Sequence, residues 1–327
     1  MRKALSVVAA ATLAVLALNV PAASAATSVT FTPQTVLGPG VPKDGTGDQN
    51  VVALGSVTLD LAASQSAKVE ATMRVNSATI RTLFDNEIVC KWAGGGKNAV
   101  LGQNVYQMGS GAPQWEDLTL TTSQLVDPGV ATRVTCTAYI RTASLGWDDS
   151  TVALVGGSMR ITPQAGRAIQ SAVPTFTKLD AANPITRQPA LPMFDAQAKT
   201  LDVVANVEYM VCHTTGQCDK TKTSKASYTL LVNQWKADGT LCQTDSTAVT
   251  SETPYWVHHV VVPLKKTGFQ VKTDNGCIPR FNAYFLVKWI SGETGAVQGV
   301  ASNLTDARGS TSRHNSDMSA IYAIARS

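Results

Sequence analysis

The chain has 327 residues, of which 44% are hydrophobic and 15% charged, and its formal net charge is +4. This length accommodates two domains of ordinary size. The balance of 27 basic against 23 acidic residues is too even for a nucleic-acid-binding protein, because phosphate recognition requires clustered cations, so nucleic acid is not expected as a partner.

The N-terminus is typical of a secretory signal peptide. Two basic residues precede an apolar run over 4–20, and residues 23–25 supply the small side chains of a cleavage site. A retained membrane anchor is disfavoured because the run is short, rich in alanine and followed by Pro21. We expect cleavage after Ala25, with residues 1–25 removed from a secreted protein that does not insert into a membrane.

The segment KDGTGDQN, residues 43–50, is the first candidate site in the mature chain. It places Asp44, Thr46, Asp48 and Asn50 at alternate positions, which resembles the ligand spacing of a calcium loop. It lacks the glycine at the sixth position and the terminal glutamate of an EF-hand loop. An ordinary polar turn is therefore favoured over a calcium site, and the sequence predicts no cofactor.

Alternation of apolar and polar residues predicts strands along the remaining chain. The segments are rich in Val, Thr, Ile and Tyr, are bounded by turn-forming residues, and are interrupted by no long amphipathic helix. Examples in chain order are SVTLDLA, AKVEATMRV, TRVTCTAYIRT, TLDVVANVEYMV and FNAYFLVKWI. Their spacing predicts an all-β chain built from antiparallel β-sandwiches.

The second half of the chain repeats the first. Five short matches recur in the same order, at offsets of 141 to 145 residues: TFT at 30 and 175, TLD at 58 and 200, Trp at 92 and 235, a Pro and Trp motif at 113 and 254, and Ala-Tyr at 138 and 283. An internal duplication explains this nearly constant offset. It predicts two tandem sandwich domains, 26–164 and 173–327, joined by a linker at 165–172.

The duplication also orders the cysteines. Six cysteines in an exported chain indicate three disulfides, for which fifteen pairings can be drawn. Cys136 and Cys277 each lie 21 residues after the second tryptophan of their domain, so they occupy equivalent positions. Their predicted partners lie in the preceding tryptophan hairpin, at Cys90 and Cys242 respectively.

The order of Cys90, Trp92 and Cys136 resembles that of immunoglobulin-type sandwiches. The chain departs from that family in the spacing between the tryptophan and the first cysteine, and no tyrosine lies two residues before Cys136. The resemblance therefore implies an immunoglobulin-like architecture for the two tandem domains and no membership of the family.

The stretch VCHTTGQC, residues 211–218, has no counterpart in the first domain. A zinc site is disfavoured because Cys212 and His213 would point to opposite faces of a strand. A redox pair is disfavoured because Cys-x-x-Cys spacing and a helix are both lacking. We expect a Cys212–Cys218 disulfide across a projecting hairpin, with a partner-binding tip formed by His213, Thr214, Thr215 and Gln217.

Catalytic signatures are absent from the sequence. It contains no nucleophile elbow, His-Glu-x-x-His motif or phosphate loop. His258 and His259 are adjacent on a predicted strand, so one of them should face inward as a boundary histidine. The sequence therefore predicts that the protein is not an enzyme, with a His-dependent hydrolase as the weakest alternative.

Trp147 is a further candidate for binding. It is flanked by a glycine and two aspartates in a predicted loop, where an exposed aromatic ring would suit a sugar or a protein partner. The alternative is that the ring folds over its own sandwich. In either setting the residue lies away from VCHTTGQC in sequence.

The leading functional hypothesis is a secreted interaction or adaptor protein that binds another secreted or cell-surface protein. A subunit of an extracellular assembly, such as a secreted toxin particle, would be one setting for it. The mature N-terminus and the C-terminal strand are candidates for donation to an edge of a partner's sheet. A carbohydrate- or cell-wall-binding module is the alternative, with a glycan in place of a protein partner.

Overall fold

The structure is a computed structural model. It describes residues 25–40, 50–77, 82–105, 107–108, 114–115, 117–144, 148–188, 190–211, 223–254, 257, 259–299 and 317–326. These residues form β-strands and no helix. Within the same ranges there is accordingly no helix that could cross a membrane.

The described residues of the first half of the chain form eleven strands. They are β1 (Thr27–Thr30), β2 (Gln34–Gly38), β3 (Asn50–Leu61), β4 (Gln65–Ser77), β5 (Thr82–Trp92), β6 (Gly95–Val105), β7 (Gln107–Met108), β8 (Gln114–Trp115), β9 (Asp117–Val126), β10 (Thr132–Ser144) and β11 (Ser150–Ala165). One antiparallel sheet has the order β1-β11-β4-β9, with β2 also on β11, and the facing sheet has the order β3-β10-β5-β6. The small β7-β8 pair stands apart.

The described residues of the second half form eleven more. They are β12 (Ile169–Ala172), β13 (Thr177–Leu179), β14 (Ile185–Thr186), β15 (Ala190–Asp195), β16 (Thr200–Val211), β17 (Thr223–Lys236), β18 (Leu241–Pro254), β19 (His259–Gln270), β20 (Cys277–Gly292), β21 (Gly295–Val297) and β22 (Ala320–Arg326). In one antiparallel sheet β16 lies between β19 and β22, and β12 flanks β22. The other sheet runs from β14 and β15 through β20 and β17 to β18.

The order of the central strands is the same in both halves, whereas β21 and β13 are added beside β16 in the second half. In the first, β11, β4 and β9 lie side by side and face β10, β5 and β6. In the second, β22, β16 and β19 lie side by side, and β20, β17 and β18 form the other sheet. The all-β, antiparallel sandwich prediction is thus confirmed for the described residues.

Each sandwich has its own hydrophobic core. The first core includes Met73, Phe84 and Ile140, and the second includes Tyr209 and Phe285, all fully buried. Strand β16 shows how the sequence builds this core, because its alternate residues from 201 to 211 are buried against the opposite sheet. Full burial of such a side chain contributes about 1.5–3 kcal/mol.

Two disulfides link Cys90 to Cys136 and Cys242 to Cys277, which are the pairs expected from the duplication. Cys90 and Cys136 lie directly opposite each other on the neighbouring strands β5 and β10, with Cα atoms 4.0 Å apart. The immunoglobulin disulfide instead joins two sheets, so that part of the resemblance is absent here. By restricting the unfolded chain, each bond contributes about 3–4 kcal/mol.

We expect a mild reductant to open Cys242–Cys277 in the folded protein before Cys90–Cys136. Cys90 and Cys136 are fully buried, whereas Cys242 is partly exposed, so the attacking thiolate reaches Cys242 without unfolding. Timed alkylation followed by peptide mass spectrometry measures the order. In denaturant the two bonds should open at similar rates, and earlier labelling of Cys90 in the folded protein would contradict the prediction.

Three segments are more firmly integrated than the sequence suggests. Within the predicted linker 165–172, Ala165 ends β11 and Ile169–Ala172 pairs with β22. The N-terminal strand β1 pairs with β11, and the C-terminal strand β22 lies between β12 and β16. The expectation that the two terminal segments serve as strands for a partner is therefore wrong, because both are already hydrogen-bonded within the chain.

Candidate functional site

The two sandwiches meet side-on. The outer face of β16, β19 and β22 lies against the edge strands β6 and β9 of the first sandwich. Leu125 of β9 packs against Tyr322 and Ile324 of β22 in a small apolar cluster of its own. The second sandwich therefore covers edges that would otherwise expose unpaired backbone groups.

Backbone hydrogen bonds close the edge of β6. The Val100 amide donates to the carbonyl oxygen of Asp317 at 2.9 Å, and the Asp317 amide donates to the carbonyl oxygen of Asn98 at 3.0 Å. On β9, the Leu125 amide donates to Oε1 of Gln170 at 3.3 Å. The segment that leads into β22 thus extends a sheet of the first sandwich before it joins a sheet of the second.

Glu208 is the central polar residue of this junction. Its carboxylate is fully buried, accepts a hydrogen bond from the Gly102 amide at 3.0 Å, and lies 2.9 Å from Nδ1 of His259. Position 102 requires glycine, because an added Cβ would lie 2.1 Å from Oδ1 of the buried Asp85. The close approach of β5, β6 and β16 at this point therefore depends on a glycine, which has no side chain, at position 102.

A second set of buried polar residues, Ser123, Asn206 and Tyr322, lies at the same junction as Glu208. The Ser123 hydroxyl is 3.0 Å from the hydroxyl of Tyr322 and accepts a hydrogen bond from Nδ2 of Asn206 at 3.1 Å. Burial raises the pKa of the Tyr322 hydroxyl, which therefore stays protonated over the whole range in which the protein is handled. These hydrogen bonds join Ser123 of the first sandwich to two residues of the second. Because they are buried, they restrict the movement of one sandwich against the other.

A cleft of about 240 Å³ lies between the two sandwiches, next to this polar group. Strands β4 and β9 form one wall, and β16, β19 and β22 form the other. Its apolar lining comes from both sandwiches: Leu120, Val204, Val261, Pro263 and Leu264.

The rim of the cleft is polar. Lys68 and Glu70 form an ion pair at 2.5 Å on β4, and Lys265 lies across the cleft on β19. The exposed hydroxyl group of Thr121 also lies at the rim, 2.9 Å from that of Thr72. An apolar interior with a few polar groups at its border is typical of sites that bind small or extended ligands.

Among the described residues that line the cleft, Tyr322 is the only aromatic one, and it is buried. The described lining therefore contains no exposed ring on which a sugar could stack. The lining suits an aliphatic side chain flanked by hydrogen-bonding groups. In the described ranges there is also no cluster of His, Cys, Asp or Glu arranged to hold a metal ion.

Most site residues predicted from the sequence lie outside the described residues. They comprise the signal segment, the polar turn at 43–49, Trp147, Cys212, His213, Thr214, Thr215, Gln217, Cys218 and His258. His259 is described and is mostly buried at the junction, where a boundary histidine was expected. The cleft itself was not predicted from the sequence.

Comparisons with known proteins identify no family. No family model matches the chain, and no curated protein matches it. The N-terminal tandem of CBM22 modules from Paenibacillus barcinonensis Xyn10C is 8% identical, over 92% of this chain and 93% of that one, with a TM-score of 0.24.

Two viral structures are similar at the same level. That of Broad Bean Stain Virus is 8% identical, over 88% of this chain and 94% of that one, with a TM-score of 0.22. That of the infectious bursal disease virus Gx strain is 10% identical, over 92% and 80%, with a TM-score of 0.24. Scores this low carry no argument about function or family.

Proposed function

We propose that this chain is a secreted, non-enzymatic adaptor that holds an extended segment of another secreted protein in the cleft between its sandwiches. The cleft carries the proposal, because both sandwiches contribute its walls and buried hydrogen bonds beside it fix their separation. A cleft that is already formed binds without the cost of ordering its own walls.

The duplication supports the same proposal. We infer that the sandwiches are tandem immunoglobulin-like copies, because their central strands follow the same order and their repeated motifs keep a nearly constant offset. Side-on docking of one copy on the other creates a surface that neither has alone. The two disulfides fit folding in an oxidising compartment, in agreement with the expected signal peptide.

A binding role fits the described polar groups better than a hydrolytic one. The buried carboxylates of Glu87 and Glu208 are engaged by Arg141 and by the Gly102 amide. His259 contacts Glu208 and does not line the cleft. The described lining residues thus supply hydrogen bonds and apolar contact, and no nucleophile is paired with a base among them.

Filling the cleft is expected to abolish partner binding. Thr121→Trp would place an indole at the rim of the cleft, against its apolar lining. Because the side chain of residue 121 is exposed, its backbone can keep its pairing with β4. Proteins that copurify with the native product from culture medium, identified by mass spectrometry, are the readout. We expect the principal partner to be retained by the wild type and lost with Thr121→Trp.

The matched control is Ser56→Trp. Ser56 also bears an exposed hydroxyl that pairs across strands, 2.8 Å from that of Thr137, but it lies on the outer face of the other sheet. This variant should keep the partner. Retention of the same partner by Thr121→Trp would overturn the assignment of the cleft, and retention of polysaccharide alone by the wild type would favour the glycan-binding alternative.

A further inference from the structure

Strand β18 differs from the corresponding strand of the first sandwich in that one of its edges pairs with none of the described strands. Its residues from Leu241 to Pro254 pair with β17, and no other described strand pairs with it. Strand β6, which has the corresponding place, is closed by Asp317 and Glu208. The chain thus covers one of two equivalent edges and leaves the other unpaired among the described residues.

We propose that β18 pairs antiparallel with β18 of a second copy of this chain. A two-fold axis perpendicular to the sheet would then join the β14/β15-β20-β17-β18 sheets of both copies into one. Each chain would contribute the same strand, which is the self-complementary arrangement that a closed dimer requires.

The composition of β18 supports pairing. Natural edge strands are commonly protected by charged side chains, above all lysine, by proline, by β-bulges, by inward-pointing charges or by shortness. The fourteen residues of β18 contain no lysine, proline occurs only at the end of the strand, and the register shift in its pairing with β17 lies at the opposite end, between Leu241 and Gln243. Threonine, serine, alanine and valine dominate its second half, and these residues tolerate or favour extended backbone.

The charges on β18 are compensated within the chain. Asp245 lies 2.5 Å from Nζ of Lys266 on β19, and Glu252 accepts a hydrogen bond from Lys225 on β17 at 2.8 Å. The approach of a second β18 therefore does not bring bare carboxylates together. In this respect β18 differs from an edge strand that is protected by repulsion between unpaired charges.

Symmetry determines which residues can face each other. Residues opposite each other in an antiparallel pair share a face of the sheet, so the two-fold axis must place a residue opposite its own copy. With Val249 at the axis, residue 245 opposes 253 and residue 246 opposes 252, so no two like charges meet. Val249, which is 42% exposed in the single chain, would then pack against its copy.

The proposed contact does not compete with the cleft. Strand β18 belongs to the sheet that contains β17 and β20, whereas the cleft is lined by β16, β19 and β22 of the other sheet. The dimer would carry two clefts, and a partner with two binding segments would gain avidity from them. Dimerisation can be tested without any partner, so its failure is distinguishable from failure of the cleft proposal.

Sedimentation equilibrium of the purified mature chain tests the proposal. We expect a species of twice the chain mass for the wild type and of single mass for Val249→Lys, because the added ammonium groups would face each other at the axis. Val155→Lys is the matched control, since Val155 lies on β11 with the same 42% exposure, and it should remain dimeric. Circular dichroism of each variant verifies that it is folded.

A cysteine at position 249 gives an independent measurement. A short bifunctional cross-linker should join two copies through Val249→Cys and leave Val155→Cys monomeric on a denaturing gel. A wild type that is monomeric at every concentration would overturn the proposal. So would a dimer that persists in folded Val249→Lys, or a β18 edge that pairs only with an unrelated peptide.

Discussion

Replacement of Arg141 by methionine is expected to lower the free energy of unfolding by about 3–5 kcal/mol. Nε of Arg141 donates to Oε2 of Glu87 at 2.6 Å, and the two side chains are 2% and 0% exposed. Methionine retains much of the apolar stem, so the loss reports chiefly on the charge. The carboxylate of Glu87 would be left buried without its guanidinium, and the buried Asp85, opposite Arg141 in the strand register, would lose a nearby cation.

Denaturant unfolding followed by circular dichroism measures this effect. The control is Arg133→Met on the same strand, where the guanidinium pairs with Asp60 at the surface and is 70% exposed. That variant should leave the unfolding midpoint almost unchanged, because exposed ion pairs are screened by solvent.

A double variant separates two explanations. If Arg141→Met destabilises by leaving Glu87 uncompensated, the addition of Glu87→Leu should restore part of the lost stability. If the loss came from packing alone, the second substitution would destabilise further. Similar midpoints for Arg141→Met and Arg133→Met would also contradict the prediction.

The two sandwiches illustrate what sequence pattern can predict. Strands such as β10, β16 and β20 alternate apolar and polar residues over a dozen positions, so both their type and their core face follow from a period of two. The pairs Cys90–Cys136 and Cys242–Cys277 are those that the nearly constant offset between the two halves predicts. Short strands were not predictable in the same way, and β12, with four residues, lies in the segment for which the sequence predicts a linker.

The cleft was not predictable because it depends on which outer faces meet. Residues 204, 206 and 208 alternate with the core residues of β16, so the pattern assigns them to a solvated face. Docking of the other sandwich buries this face, and no local pattern encodes that step. One signal was available, since Gly102 inside a strand marks close approach of another group, and the structure places Asp85 and Glu208 there.

Replacement of Glu208 by alanine is expected to loosen the junction between the sandwiches and to lower the free energy of unfolding by roughly 2–4 kcal/mol. The substitution removes the acceptor for the Gly102 amide and the carboxylate beside Nδ1 of His259. Both groups are held where water has little access, so neither regains an equivalent partner without local opening.

Glu208→Gln distinguishes hydrogen bonding from charge. The glutamine carbonyl can still accept from the Gly102 amide, and its amide group can donate to a neutral His259. If the hydrogen bonds of Glu208 hold the junction together and its charge is not needed, this variant should have nearly the same unfolding midpoint in denaturant as the wild type. A loss equal to that of Glu208→Ala would show instead that the negative charge is required.

Amide hydrogen exchange at Gly102 locates the effect. Glu208→Ala should accelerate exchange there by more than an order of magnitude. A decrease of about 1.4 kcal/mol in the free energy of local opening raises the exchange rate tenfold, and the expected loss is larger than this. Asp202→Ala is the control, since Asp202 lies on the same face of β16 and accepts from the Gly268 amide and from Arg326 away from the junction. It should destabilise the protein without changing exchange at Gly102. Equal acceleration at Gly102 in both variants would mean that Glu208 acts through global stability alone and does not hold the two sandwiches together.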